Sequence, residues 1–176
     1  PQPSLIGDHQ IYNISTSIAA SIKIFNVSES NIKNSMKKMR LKGRLEEIKS
    51  GKLKNLIGEN RLIIDGGHNI NSAISISNWV KQQNEKVHLI CGMMNDKPHK
   101  EFINQFENSV NSITLIDIPN QEGSISKEEF KKKLGNKNIH TAESIEESLL
   151  MNNKDKNCIF LCAGSLYLAG EVLNLN

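Results

Sequence analysis

The chain has 176 residues, 22 basic against 19 acidic side chains and a net charge of +3. That length holds one ordinary domain, or one domain with part of another, and dispersed lysines near charge balance argue against a nucleic-acid surface. No apolar run reaches membrane-spanning length. Cys91, Cys158 and Cys162 complete neither a zinc site nor a disulfide set, and no signal peptide is visible, so a cytoplasmic location is expected.

The opening Pro1-Gln2-Pro3 has no initiator Met and no cap, and is expected to be a cut inside a longer chain. Residues 14–25 are predicted to be a helix, with Ile14, Ile18, Ile22 and Phe25 on its packed face. Ser28 and residues 29–40 predict a second, more polar helix. The pattern then changes. Residues 44–48 and 62–65 predict strands, joined by turns near Ser50-Gly51 and Gly58. Residues 72–84 predict a helix with Ala73, Ile76, Trp79 and Val80 inward. A strand at 87–91, a helix at 98–108 and a strand at 113–118, stopped by Pro119, follow. Ser126-Lys127-Glu128-Glu129 predicts a capping box opening a helix to Leu134. A short strand at 138–140, a helix around Ile145, Leu149 and Leu150, a strand at 158–163 and a helix at 165–173 complete the chain. From Leu62 onward strands alternate with helices. That predicts an α/β, Rossmann-like fold, a mostly parallel sheet with helices on both faces. The continuously apolar strands fit a sheet covered on both sides.

In such a sheet four strand ends converge on one edge, where ligands bind. They are Asp65-Gly66-Gly67-His68-Asn69, the segment 92–97, the segment 117–121, and Ala163-Gly164-Ser165. Asp65 suits a ribose hydroxyl or a metal-bound water. His68 and Asn69 suit an anion or a nucleophile, and Gly164-Ser165 opens a helix whose amides can hold a carboxylate or phosphate. Each has a bland alternative. Asp65 can cap or brace, His68 can be structural, and Ser165 is a good N-cap. Asp96-Lys97-Pro98 reads as an ordinary turn, and the cysteines read as core. Arginine is scarce, only Arg40, Arg44 and Arg61, so each is a candidate for planar phosphate recognition. The chain has no P-loop, no Gly-x-Gly-x-x-Gly after its first strand and no Gly-x-Ser-x-Gly elbow.

Three segments in order carry a resemblance. They are Gly7-Asp8-His9-Gln10-Ile11-Tyr12-Asn13, Gly43-Arg44-Leu45-Glu46-Glu47 and Asp65-Gly66-Gly67-His68-Asn69. Val87 to Met93 with Asp96-Lys97, and the closing run from Gly164 to Leu173, support it. Over nearly its whole length the chain resembles the carboxyl-terminal part of folylpolyglutamate synthase / dihydrofolate synthase, a branch of the Mur ligase superfamily. The resemblance implies ATP-dependent ligation of L-glutamate to dihydropteroate or folates through an acyl phosphate. It implies that Asn13 contacts adenine and that Arg44 and Asp65 contact the ATP phosphates and ribose. His68 and Asn69 would lie beside the reacting groups, and Ser165 would be a glutamate-carboxylate contact.

It also implies a division of the chain. Residues 1–40 would be the end of a central ATPase domain with its linker, and residues 41–176 a Mur-ligase-type carboxyl-terminal ligase domain. The P-loop, the Mg2+ ligands and the folate site would belong to the amino-terminal ATPase domain of the same protein. The present chain is therefore expected to be inactive alone and the parent protein a monomer, with no nucleic-acid or membrane partner. Leu41-Lys42 stand where the family has Trp-Pro, Gly67 where it has Ala and Ile70 where it has Pro. Gly67 is expected to loosen the loop, and Ile70 removes a rigid helix start. Two alternatives stay open: another amino-acid ligase of the superfamily, or a non-catalytic α/β binding domain.

Overall fold

The computed structural model describes residues 9–39, 41–135 and 139–176. Gly7 and Asp8 of the first matched segment, the end of the second helix at Arg40 and the strand start at Asn138 lie outside the described residues. Helix α1 (His9–Phe25) begins earlier than residue 14, so Asn13 is helical. Only part of its predicted inner face is covered: Ile14 is buried, but Ile22 is 50% and Phe25 73% exposed. Periodicity identified the stripe, but nothing among the described residues packs on its far end. Asn26, at φ 49°, breaks the helix. Ser28 then caps α2 (Glu29–Lys38) by accepting from the Asn31 amide.

The rest is one six-stranded sheet, ordered β1-β2-β6-β3-β4-β5. The strands are β1 (Glu46–Ile48), β2 (Arg61–Asp65), β3 (Lys86–Cys91), β4 (Ser112–Leu115), β5 (Ile139–Thr141) and β6 (Cys158–Ala163). Only β1 runs antiparallel, Glu46 lying opposite Ile64. The predicted α/β sheet is thus present, mostly parallel. Arg44 lies in the turn before β1 rather than in it, and a short helix, α3 (Lys52–Leu56), occupies the predicted turn region.

Two apolar layers sandwich the sheet. One holds α4 (Ile70–Val80), α5 (His99–Asn104) and α6 (Lys127–Leu134), with Trp79, Phe102, Phe106 and Phe130 against Ile63, Leu89 and Leu161. The other holds α3, α7 (Ile145–Met151) and α8 (Leu166–Leu175), with Leu53, Leu149, Leu168 and Val172 against Ile64, Ile90 and Phe160. Isolated helices as short as α5 are unstable in water. Burying each large apolar side chain contributes about 1.5–3 kcal/mol, so packing, not propensity, holds them. Strands β2 and β3 send their chains to the first layer, whereas β6, lying between them, sends α8 to the second. That divergence opens a crevice at the carboxyl ends of β2, β6 and β3.

Candidate functional site

Asp65 is the last residue of β2 and only 4% exposed. Its Oδ1 accepts from the Gly67 amide at 2.7 Å and its Oδ2 from the Leu45 amide at 2.9 Å. It therefore ties two loops together. One is the turn Gly43-Arg44-Leu45, the other the segment Gly66-Gly67-His68. A third bond, Gly66 N–H to Gly43 C=O at 2.8 Å, closes the same join. The Arg44 guanidinium lies 4.0 Å from Asp65 Oδ1 and is one-third exposed. The bracing role foreseen for Asp65 is real, and it leaves Arg44 as the cation presented at the surface of the cleft.

Gly67 does not loosen this loop. A Cβ there would stand 2.8 Å from Ser72 Cβ, 2.9 Å from Asp65 Oδ1 and 2.9 Å from Ile76 Cδ1. The position is tight, contrary to expectation, because the loop folds back directly over the start of α4. The helix start that Ile70 was expected to weaken is supplied instead by its neighbour. The Asn69 side chain accepts from the Ser72 amide at 2.9 Å, and the Ser72 hydroxyl accepts from the Asn69 amide at 3.0 Å, a complete capping box. That is why α4 begins at Ile70 rather than residue 72.

His68 is half-buried, with Nδ1 2.9 Å from the Gly66 carbonyl oxygen. A carbonyl only accepts, so the proton sits on Nδ1 and the lone pair on Nε2 in the neutral ring. His68 separates two cavities. The first, about 310 Å³, brings together Gln10 and Asn13 from α1 with Arg44, Asp65, His68 and Asn69. The second, about 450 Å³, joins His68 to Asn95, Asp96, Lys97, Ser165 and Tyr167. The Lys97 ammonium donates to Asp96 Oδ2 at 2.8 Å and holds that carboxyl below its ordinary range. The His99 ring donates Nε2–H to the Met94 carbonyl at 3.0 Å, fixing the loop that carries both.

Ser165 caps α8, its hydroxyl accepting from the Tyr167 amide at 3.1 Å, and it is 2% exposed. Its N-cap reading holds, and only its hydroxyl proton is left to donate.

Three of the four predicted strand ends therefore meet. The fourth does not: Asp117 turns to the Lys127 amide at 2.7 Å and the Lys127 ammonium at 3.2 Å, and Glu143 takes the same ammonium at 2.8 Å. Asp96-Lys97, which by itself reads as an ordinary turn, belongs to the strand end 92–97 that lines the second cavity; its visible signal is a charged pair at the end of an apolar strand. Gln10, buried at the cleft wall, accepts from Asn13 Nδ2 at 3.3 Å. The cysteines are core residues. Burial pushes the Cys162 thiol up to about 12 and raises Cys91 and Cys158 as well, which disfavours the thiolate in all three. Among the described residues no three His, Cys, Asp or Glu side chains come together to hold a metal, and no helix is long and apolar enough to cross a membrane.

Residues 43–166 match the family model described as Mur ligase, glutamate ligase domain. No curated protein matches the sequence. Among solved structures, Mycobacterium tuberculosis folylpolyglutamate synthase complexed with ADP and AMPPCP superposes with a TM-score of 0.83 at 17% identity, over 98% of this chain and 41% of that one. The bifunctional folylpolyglutamate synthase/dihydrofolate synthase of Yersinia pestis, complexed with AMPPNP and Mn ion, gives 0.78 at 18% identity, over 99% of this chain and 40% of that one. E. coli FolC in complex with DHPP and ADP gives 0.75 at 20% identity, again over 99% and 40%. At these identities the likeness is one of fold, and the chain spans about two fifths of each of these proteins.

Proposed function

This chain belongs to the Mur ligase family through its glutamate ligase domain, and from that premise we propose that it is part of an ATP-dependent ligase joining L-glutamate to dihydropteroate or a folate. The carrying observation is the first cavity. It joins Asn13, far upstream on α1, to Arg44, Asp65, His68 and Asn69 around a single space. The fold shared with synthases solved with ADP, AMPPCP or AMPPNP supports a nucleotide there.

In this reading residues 1–40 end a central ATPase domain and its linker, and residues 41–176 are the ligase domain. The exposed stripe of α1 supports that division, because Ile22 and Phe25 want a partner. The Asn13 amide meets adenine. Arg44 offers a fork of donors to phosphate oxygens, while Asp65 meets the ribose or phosphates as it braces the Arg44 turn. ATP supplies the phosphoryl group that turns the acceptor's carboxylate into an acyl phosphate. The glutamate amine then displaces phosphate, a reaction governed by positioning and charge.

His68 Nε2, the acceptor atom between the two cavities, lies beside that step with Asn69. Glutamate takes the second cavity. Its carboxylates meet Lys97 and the start of α8, where the Ser165 hydroxyl donates. Among the described residues no three His, Cys, Asp or Glu side chains come together to hold Mg2+, and the amino-terminal domain would supply its ligands. The protein acts as a monomer in the cytoplasm.

The test is ADP release by the full-length protein with dihydropteroate or folate and glutamate. Arg44→Ala should lower kcat/KM for ATP by about 100-fold, the order seen when a transition-state anion loses one fixed donor. Turnover unaffected by Arg44→Ala, or independent of glutamate, would sink the proposal.

A further inference from the structure

Arg44 is flanked by two backbone positions of positive φ. Gly43 is at 65° and Leu45 at 45°. Leu45 is a branched, fully buried residue in a conformation that non-glycine residues avoid. Such a turn persists only where its surroundings over-determine it. Here two carboxylates do so, one on each side of Arg44. Asp65 takes the Leu45 amide, as described. Glu46, the first residue of β1, takes the Gly43 amide on its Oε2 at 2.7 Å. Glu46 is itself fixed by strand pairing, opposite Ile64 of β2. The anchor for the Gly43 amide therefore belongs to the rigid sheet rather than to the loop.

We infer that Glu46 is a positioning residue. Its carboxylate holds the Gly43 amide and so sets the direction in which Arg44 enters the cleft. The inference rests on the reading of the cleft as a nucleotide site. It predicts a sign that electrostatics alone would reverse. A carboxylate close to an anion site repels the anion, so on charge alone its removal would tighten nucleotide binding. If Glu46 orients Arg44, its removal weakens binding instead, because the guanidinium must be ordered each time the nucleotide arrives.

The experiment uses the full-length protein and the ATP dependence of ADP formation. Glu46→Ala is expected to raise the KM for ATP roughly tenfold, the order of one lost hydrogen bond to a charged group. Glu46→Gln should recover most of that loss, since its amide oxygen still accepts from Gly43 N–H. Glu46→Ala should add nothing in an Arg44→Ala background, because the group it orients is gone. If Glu46→Ala fails to fold, Glu46→Gln carries the test, with a rise of roughly twofold to threefold expected, the residue of a weakened charged hydrogen bond, and seen only when Arg44 is present. A KM that is unchanged or lower, or a loss that multiplies with that of Arg44→Ala, overturns the role of Glu46. A wild-type protein that forms no ADP with any folate acceptor and glutamate overturns the ligase reading itself, which is a separate outcome.

Discussion

His68 and His88 stand at opposite ends of the same mostly parallel sheet, and their surroundings differ in one decisive respect. His88, near the start of β3, is buried with both ring nitrogens engaged. Nδ1 meets the Ser112 hydroxyl at 2.8 Å and Nε2 meets Asp155 Oδ2 at 3.1 Å. Asn152 and Lys86 complete the set, bonding Ser112 and Asp155 respectively. The residue types, Ser, His and Asp, suggest a nucleophilic triad, yet every member is tied to protein. At His68 one nitrogen is pinned to Gly66, no hydrogen bond among the described residues takes the other, and the residue lines two cavities. The closed arrangement is spent on structure; the open one leaves a ring nitrogen for the role proposed above. Residue composition does not distinguish them, but the number of satisfied polar atoms does.

The sharpest way to break this contrast is a pair of substitutions in the full-length protein. His68→Ala should cost about 100-fold or more in ligation rate, the range for a group acting on a proton or charge at the reacting centre, with little change in thermal stability. His88→Ala should do the reverse. It should destabilise by about 1–3 kcal/mol, because Ser112 and Asp155 lose their partner, while the folded fraction keeps its kcat. Hydrogen exchange at β3 amides reads the second effect and steady-state kinetics the first. Equal kinetic losses in both variants would erase the distinction.

A smaller effect is expected at the loop itself. Gly67→Ala should cost about 1–2 kcal/mol, a modest overpacking penalty, and should displace Asp65. Urea denaturation together with the KM for ATP would detect both. A neutral outcome would mean that Ser72 and Ile76 yield without strain.

The smallest effect is in pH. Burial lowers the His88 and His99 values, although Asp155 beside His88 and the Met94 carbonyl beside His99 pull the other way. In the unfolded chain histidine titrates near ~6.5. Just below that pH the unfolded chain binds more protons than the folded one, so stability rises with pH there and falls on acidification. The protein should melt at lower temperature at pH 5 than at pH 7.5, and His88→Gln should narrow the gap. An unchanged gap would remove His88 from the account.

The sheet itself was legible from the sequence because its strands, such as 62–65 and 158–163, are unbroken apolar runs between turn residues, a local signal. The site was legible in part. Asp65 and His68 stood out as polar residues at the end of such a run, and Arg44 stood out through scarcity. The boundaries of α1 and α4 were misplaced, since the α1 prediction started at the first residue of its apolar stripe, Ile14, and the cap of α4 is an Asn69–Ser72 pair rather than the usual Ser-x-x-Glu. The strand end at 92–97 meets that of β2 and the one at Asp117 does not, for one reason: which strand ends face each other depends on strand order.

Alternation, apolar periodicity and residue type, all properties of neighbours in sequence, determined that this chain would form a covered, mostly parallel sheet with polar strand ends at one edge. The tertiary structure alone decided the rest. It placed β6 between β2 and β3, joined the Arg44 turn to Asp65 across 20 residues, left no room at Gly67, and closed the His88 cluster while leaving His68 open. Those are contacts between segments distant in sequence, fixed by packing and by hydrogen bonds that no local pattern encodes.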